Sequence, residues 1–405
     1  MSARRILLAD ADAFFVAVAR MVDPDGAGKA PLLIVGGTRE SRGVVCSASY
    51  EARRFGVRSA MPIARALRLC PDAMCVPVPR RACSEKSRHI RSVLERYAPV
   101  VEGASIDEWY LDLGGTEALY GNEPLATTAS RIRDAVTRET ALSLSIGGGT
   151  SKLVAKLAVE RAKPKPGSGA TGVHVVPPGA EARFLESFEL AEIPFIGPRF
   201  QERLASLGMF RVPDVLQYDV ATLSQWLGGR EARWLFDRVR GIDDSEVEAH
   251  GESKSISRDE TFPADIADDE ELARELLALV TRAAADLRAD GLTARTVTVR
   301  VRDFDFKTRQ ASRTLDTPVI SDRVIWQVAR VLLAKLRRAR PVPARLIGVG
   351  LSSLAVDGTA DQLALFERAD VDVAETDRDR VLARTIDRVR SKFGDDGILP
   401  ARLID

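Results

Sequence analysis

The chain has 405 residues, a formal net charge of +1, 45% hydrophobic residues and 29% charged residues. At roughly 150 residues per unit that length predicts two to four compact units, and the apolar share excludes a disordered chain. No apolar run reaches the roughly 18 residues of a membrane span, and the start meets Asp10 too early for a secretory leader, so a cytoplasmic protein is expected.

Residues 6–9 read as a buried strand ending on Asp10, 31–37 as a second strand closed by glycines, and 42–46 as a third. Helices are predicted over 48–55, 62–69 and 83–97. Two strands over 100–105 and 109–113 meet at Asp107-Glu108. A helix over 127–139, a strand over 142–146 and a helix over 152–162 follow, until the Pro/Gly/Lys run at 163–170 breaks the pattern. Residues 180–240 turn short-helical, 243–251 is polar and reads as a linker, and 252–355 returns to mixed strands and helices. The remainder, 356–405, is a tail with one helix over 378–393. This interleaving predicts an α+β fold with some antiparallel pairing.

Four cysteines without a CxxC pair and three scattered histidines argue against a disulfide frame and against a zinc or histidine-built metal site. Charge is uneven along the chain. Residues 292–345 carry 13 Lys and Arg against 4 Asp and Glu, whereas 356–405 carry 8 against 12. A basic module followed by an acidic tail points to a polyanion-binding surface.

Asp10-Ala-Asp-Ala-Phe-Phe15 sets carboxylates where a buried strand emerges, a pattern that equally suits a helix N-cap. Asp107 and Glu108 are adjacent acids in an apolar strand pattern, costly to bury without a cation; a solvent-exposed hairpin tip is the alternative. Neighbours on an ideal strand face opposite sides, so the two share a site only at a turn or distortion. Asp10, Asp107 and Glu108 together offer the oxygen-only shell that Mg²⁺ prefers. Tyr50 and Arg53, three apart, fall on one helix face, where a phenol and a guanidinium fork suit phosphate, with Ser47 adding a hydroxyl. Lys163 follows a helix carrying Lys152 and Lys156 and offers a further phosphate contact or a solvated charge.

The joint order of Asp10–Phe15, Ser49-Tyr-Glu-Ala-Arg-Arg-Phe-Gly-Val57, Ser59-Ala-Met-Pro62, Ser105-Ile-Asp-Glu-Trp-Tyr-Leu-Asp112 and Ala162-Lys-Pro164 closely resembles the Y-family, DinB-like translesion DNA polymerases. The resemblance covers roughly residues 4–355. It implies a right-hand polymerase with a palm (1–12 and 79–168), small fingers (13–78), a helix-hairpin-helix-like thumb (169–240), a linker (241–251), an α/β little finger (252–355) and a tail (356–405). It implies error-prone, template-directed DNA synthesis on primer-template DNA with dNTPs by a monomer, using two Mg²⁺ ions, or Mn²⁺, held by Asp10, Asp107, Glu108 and the backbone carbonyl of Ala11. Ser47, Tyr50, Arg53 and Lys163 match the family's triphosphate contacts, Phe15 its steric gate, and Val44, Cys46 and Ala60 the roof over the nascent base pair. A polymerase-like adaptor without catalysis is the rival reading, and the persistence of all three acids speaks against it.

Four positions depart from the family pattern: Ala11 and Ala13 are small, Trp109 follows the acid pair, and Phe195 replaces the first glycine of the thumb turn. In that turn Gly197 begins a helix that suits a DNA phosphate. In the basic module Arg295 to Arg302 alternates, with Val297, Val299 and Val301 facing a core and Arg300 and Arg302 facing out, a basic face that suits tracking of a DNA phosphate backbone; a solvated basic surface is the alternative. Gln362-Leu-Ala-Leu-Phe366 resembles the bacterial sliding-clamp-binding peptide, with Gln362, Leu365 and Phe366 as its anchors, although about forty residues follow it.

Overall fold

The computed structural model describes residues 4–164, 169–249, 251, 253–358, 374–394 and 397–403. They form two compact units, Met1–Gly251 and Glu252–Asp405.

In the first unit, β1 (Ile6–Ala11) runs into α1 (Phe14–Val22). A small subdomain follows, built from β2 (Leu33–Val35), β3 (Ser47–Ala48), α2 (Tyr50–Arg54), α3 (Ile63–Leu69) and β4 (Met74–Val76). The chain then returns through α4 (Arg80–Leu94), β5 (Val100–Gly103), β6 (Glu108–Asp112), α5 (Leu125–Thr140), β7 (Leu144–Gly149), α6 (Lys152–Ala162) and β8 (Val173–Val175). Five short helices end the unit: α7 (Glu181–Leu185), α8 (Pro198–Ser206), α9 (Val212–Leu216), α10 (Val220–Leu227) and α11 (Gly229–Arg238).

The main sheet has the order β5-β6-β1-β7-β8, with β1 antiparallel to both neighbours. Every residue of β1 is buried because both faces of the sheet are covered. Leu7, Ala9 and Ala11 pack in one core with Ile90 and Val93 of α4 and Ile132 and Val136 of α5. Ile6 and Leu8 pack on the other face against Ala155 and Val159 of α6. Asp10 continues that second face and is thereby delivered to the rim under α6.

The third strand begins five residues later than the sequence predicts. Residue 44 makes only an isolated bridge to Pro62, and the ladder with β2 starts at Ser47. The two segments nonetheless approach closely at Gly36, where a Cβ would lie 2.1 Å from the Val44 carbonyl oxygen. Strand β4, parallel to β2, was not foreseen. The polar stretch after α11 is laid firmly on the sheet unit. Arg4 Nη2 donates to the Ser245 carbonyl at 2.7 Å, the Leu153 amide to Asp243 Oδ2 at 3.0 Å, and the Glu248 amide to Glu102 Oε2 at 2.9 Å.

The second unit contains β9 (Ser255–Ile266), α12 (Asp269–Ala289), β10 (Leu292–Asp303), β11 (Thr308–Val319), α13 (Asp322–Ala339), β12 (Ala344–Val356) and α14 (Asp377–Phe393). Its sheet has the order β11-β10-β12-β9, all antiparallel. Val297, Val299 and Val301 are fully buried in one core with residues of α12 and α13, as the alternation predicts. Helix α14 starts with a capping box at Thr376 and Asp379 and is fastened by Arg288, whose side chain is 5% exposed. Arg288 Nε and Nη2 donate to both oxygens of Asp387 at 2.6 and 2.8 Å, and Nη1 donates to Asp322 at 2.6 Å. All four cysteines are free thiols. Among the described residues no helix is long and apolar enough to cross a membrane.

Candidate active site

A cleft of ≈ 500 Å³ opens where β1, α1, α2 and the β5–β6 bend converge. Its walls include Asp10, Ala11, Phe15, Cys46, Ser47, Tyr50, Arg53, Asp107, Glu108 and Lys163, ten of the residues singled out in the sequence. Val44 and Ala60 stand on the same arch as Cys46 but outside the lining. Their backbone is fixed by the Val44–Pro62 bridge and by the Ala60 amide donating to the Val45 carbonyl at 2.8 Å.

Asp10 and Glu108 occupy directly opposed positions of β1 and β6, so their side chains leave the sheet on one face. Asp107 lies in the bend before β6, outside the pleat. That bend is the distortion two adjacent acids need in order to share a site. The Ser105 hydroxyl donates to Asp107 Oδ1 at 2.5 Å, and the Ala11 amide donates to the Asp107 carbonyl at 2.9 Å. Trp109, the next residue along β6, is 1% exposed and points into the opposite core, so the bulky departure there packs the sheet and leaves the cleft unchanged.

Asp10 is 6% exposed, and burial raises its carboxyl to about 7 even though Lys163 Nζ stands 2.9 Å from Oδ2. Burial also disfavours charge on Glu108, but the Lys156 ammonium bonded to its Oε1 outweighs this and holds the carboxyl below its usual range. The two carboxyls also act on each other, in the sense that raises Asp10 and lowers Glu108. Lys163, also bonded to Glu160 at 2.6 Å, is pushed upward by these acids against its own burial. With Lys156 and Lys163 drawn onto two acids and Ser105 onto the third, no three acid, His or Cys side chains among the described residues close around a common point.

The opposite wall is basic and polar. Ser49 caps α2 by accepting from the Ala52 amide at 3.3 Å, and its hydroxyl donates to the Pro31 carbonyl at 2.8 Å. The helix brings Arg53 over the Tyr50 ring at 5.0 Å, and Arg53 Nε donates to the Ala48 carbonyl at 2.9 Å. Phe15 meets the buried Phe14 edge-on, with ring centroids 5.5 Å apart. Asp12, Arg58 and Ser59 also border the cleft, and Lys156 reaches it through Glu108; none of the four was assigned from sequence. Lys156 falls four residues after Lys152 on α6, a spacing that could have flagged a shared face.

The impB/mucB/samB family model matches residues 9–160, and the model of that family's C-terminal domain matches 253–365. DNA polymerase IV of Dehalococcoides mccartyi strain CBDB1 is 36% identical over 394 residues, covering 97% of this chain and 96% of that protein. DNA polymerase IV of Methanoculleus marisnigri is 41% identical over 355 residues, covering 87% and 94%. Among solved structures, a Y-family DNA polymerase chimera of Dbh and Dpo4 superposes with a TM-score of 0.77 at 26% identity, covering 87% of this chain and all of that one. An insertion ternary complex of Dbh DNA polymerase matches with a TM-score of 0.60 at 27% identity, covering 87% and 100%. The chain belongs to the Y family of DNA polymerases.

Outside the cleft, the residues singled out in the sequence fall in two described regions. Gly197 caps α8, with Pro198 at its first position. Two residues earlier Phe195 takes φ 73° and is 83% exposed, with Arg238 5.7 Å from its ring. A phenylalanine thus occupies the left-handed conformation for which glycine is usual. On the second unit Arg300 pairs with Asp259 at 3.3 Å, and Arg302 Nε donates to Thr308 Oγ1 at 3.0 Å. Gly348 makes room for the first pair, since a Cβ there would meet Asp259 Oδ1 at 1.8 Å. Gln362, Leu365 and Phe366 lie outside the described residues.

Proposed function

We propose that the chain extends primers on a DNA template with dNTPs and continues opposite damaged bases, as an error-prone translesion DNA polymerase. One observation carries this reading: three acids and four phosphate-binding groups, drawn from four separate stretches of sequence, line a single cleft. Relatives called DNA polymerase IV, and the Dbh ternary complex among the structural neighbours, support it.

The donor set fits a divalent ion such as Mg²⁺. Asp10, Asp107, Glu108 and the Ala11 carbonyl are all oxygen donors, and a bound cation would favour the charged form of Asp10, whose carboxyl burial otherwise raises to about 7. Two Mg²⁺ ions, or Mn²⁺, bound there would activate the primer 3′-hydroxyl and neutralise charge on the departing pyrophosphate. The protein's share is positioning. Arg53, braced through Nε, keeps its Nη groups for phosphate oxygens, and Tyr50, Ser47 and Lys163 complete the grip on the triphosphate. Phe15, set against Phe14, lies beneath the sugar and meets a 2′-hydroxyl as a rigid wall. Cys46, with Val44 and Ala60 beside it, roofs the base pair with small side chains that spare room for distorted bases.

In this reading residues 1–12 and 79–168 are the palm, 13–78 the fingers, 169–240 the thumb, 241–251 the linker and 252–355 the little finger. Gly197, Arg300 and Arg302 contact the DNA backbone. The protein works as a cytoplasmic monomer on DNA. Gln362, Leu365 and Phe366 bind a sliding clamp.

Primer extension on damaged and undamaged templates, with dNTPs and with rNTPs, tests the reading. It predicts synthesis past the lesion and preference for dNTPs; no template-dependent synthesis in the presence of Mg²⁺ would refute it.

A further inference from the structure

We infer that Asp12 is a positioning residue for sugar selection: it fixes the corner from which α1 carries Phe15 into the cleft. The inference rests on the reading of Phe15 as the steric gate. Asp12 stands between the acid end of β1 and the start of α1, and both of its carboxylate oxygens are engaged by β7 or the residue before it. The Ser145 hydroxyl donates to Oδ1 at 2.7 Å, the Ser143 hydroxyl donates to Oδ2 at 2.6 Å, and the Asp12 amide donates to the Ser143 carbonyl at 2.9 Å. These bonds join residues more than 130 positions apart in sequence.

The corner needs such a clamp. Ala13 follows with φ 46° and ψ 43°, a left-handed conformation that alanine adopts at a cost. As the residue before α1 it also supplies no side-chain hydrogen bond to the helix start. Phe14 and Phe15 are the first two residues of α1, so the angle at which the helix leaves the sheet sets the depth of the Phe15 ring. Phe14 is buried and anchors one side; the charge-assisted Asp12–serine bonds anchor the other. Ala11 and Ala13 contribute no bulk to this corner, which leaves Asp12 as its polar fastening.

The test uses the full chain on primer-template DNA. It measures relative insertion of a ribo- and a deoxynucleotide as kcat/KM, their binding to a complex with a dideoxy-terminated primer, and the Mg²⁺ concentration for half-maximal rate. Asp12→Ala and the double variant Ser143→Ala/Ser145→Ala should each raise relative ribonucleotide insertion and binding by roughly three- to tenfold, the scale of lost positioning hydrogen bonds. Asp12→Asn should stay near the parent, because its amide can accept from one serine hydroxyl and donate to the other. The Mg²⁺ requirement should not move in any of them. Should Asp12→Ala fail to fold, the serine pair carries the test. Parent-like selectivity in the serine variant, with Phe15→Ala relaxed, overturns the inference and leaves the gate reading standing. A raised Mg²⁺ requirement in Asp12→Asn, with the serine variant silent, makes Asp12 an ion ligand and overturns it as well. Unrelaxed selectivity in Phe15→Ala removes the gate reading and the inference with it.

Discussion

Asp10 and Glu108 face each other across the β1–β6 ladder, each held by a different lysine: Asp10 by Lys163 at 2.9 Å and Glu108 by Lys156. The two carboxyls titrate apart because their surroundings differ. Asp10 is the more deeply buried and rises to about 7, whereas Glu108 falls below its usual range.

That asymmetry predicts a pH dependence for the metal-free protein. The unfolded chain releases the Asp10 proton near 3.8, while the folded chain keeps it to about 7. Between those values the native state binds more protons, so this group's contribution to stability declines as pH rises. Thermal unfolding in EDTA should therefore lose stability between about pH 4 and pH 7 more steeply in the parent than in Asp10→Asn, and Mg²⁺ should reduce the difference. Parallel pH profiles for the two proteins would contradict the burial of this acid.

The thumb turn makes a second prediction. Phe195 holds φ 73° with its ring mostly in solvent, so little packing offsets the backbone strain. Comparing Phe195→Gly with Phe195→Ala removes the ring from both. The glycine variant should be the more stable by about 1 kcal/mol, measured by urea unfolding, because only glycine relieves the left-handed conformation.

A third concerns the C-terminal helix. Asp387 supplies both oxygens to the nearly buried Arg288 guanidinium, whose remaining carboxylate partner is Asp322. Asp387→Ala should destabilise the second unit by about 3 kcal/mol, because it leaves a buried cation short of charge. The triple change Arg288→Met/Asp322→Asn/Asp387→Leu, which leaves neither the buried cation nor a buried carboxylate unpaired, should recover most of that loss. Equal destabilisation by the single and triple variants would show that α14 is held by something other than this charge cluster.

Much of this architecture was legible in residue order. The period-two pattern placed Val297, Val299 and Val301 inward, and adjacent acids called for a bend, which Asp107 occupies. Trp109 looked like a departure of unknown effect in sequence; alternation along β6 turns it away from Glu108 into the core. Other features had no local signal. Three residues, Met74–Val76, are too few to show a period, and their parallel pairing with β2 depends on the whole subdomain. The serines that hold Asp12, the Glu108 that holds Lys156 and the Asp10 that holds Lys163 are far away in sequence, so only the folded sheet brings them together. The polar run after residue 242 read as a free linker because its partners, Arg4, Glu102 and Leu153, are equally remote.

The most direct measurement is primer extension by Asp107→Ala beside an assay of its primer-template affinity. Asp107 sits in the bend, and among the described residues its carboxylate is hydrogen-bonded to Ser105 alone, so its loss should spare the fold. The account predicts extension reduced by at least about a thousandfold, in line with losing a group that stabilises transition-state charge, with DNA affinity within a few-fold of the parent. Extension near the parent rate would contradict the assignment of this cleft as the polymerase centre.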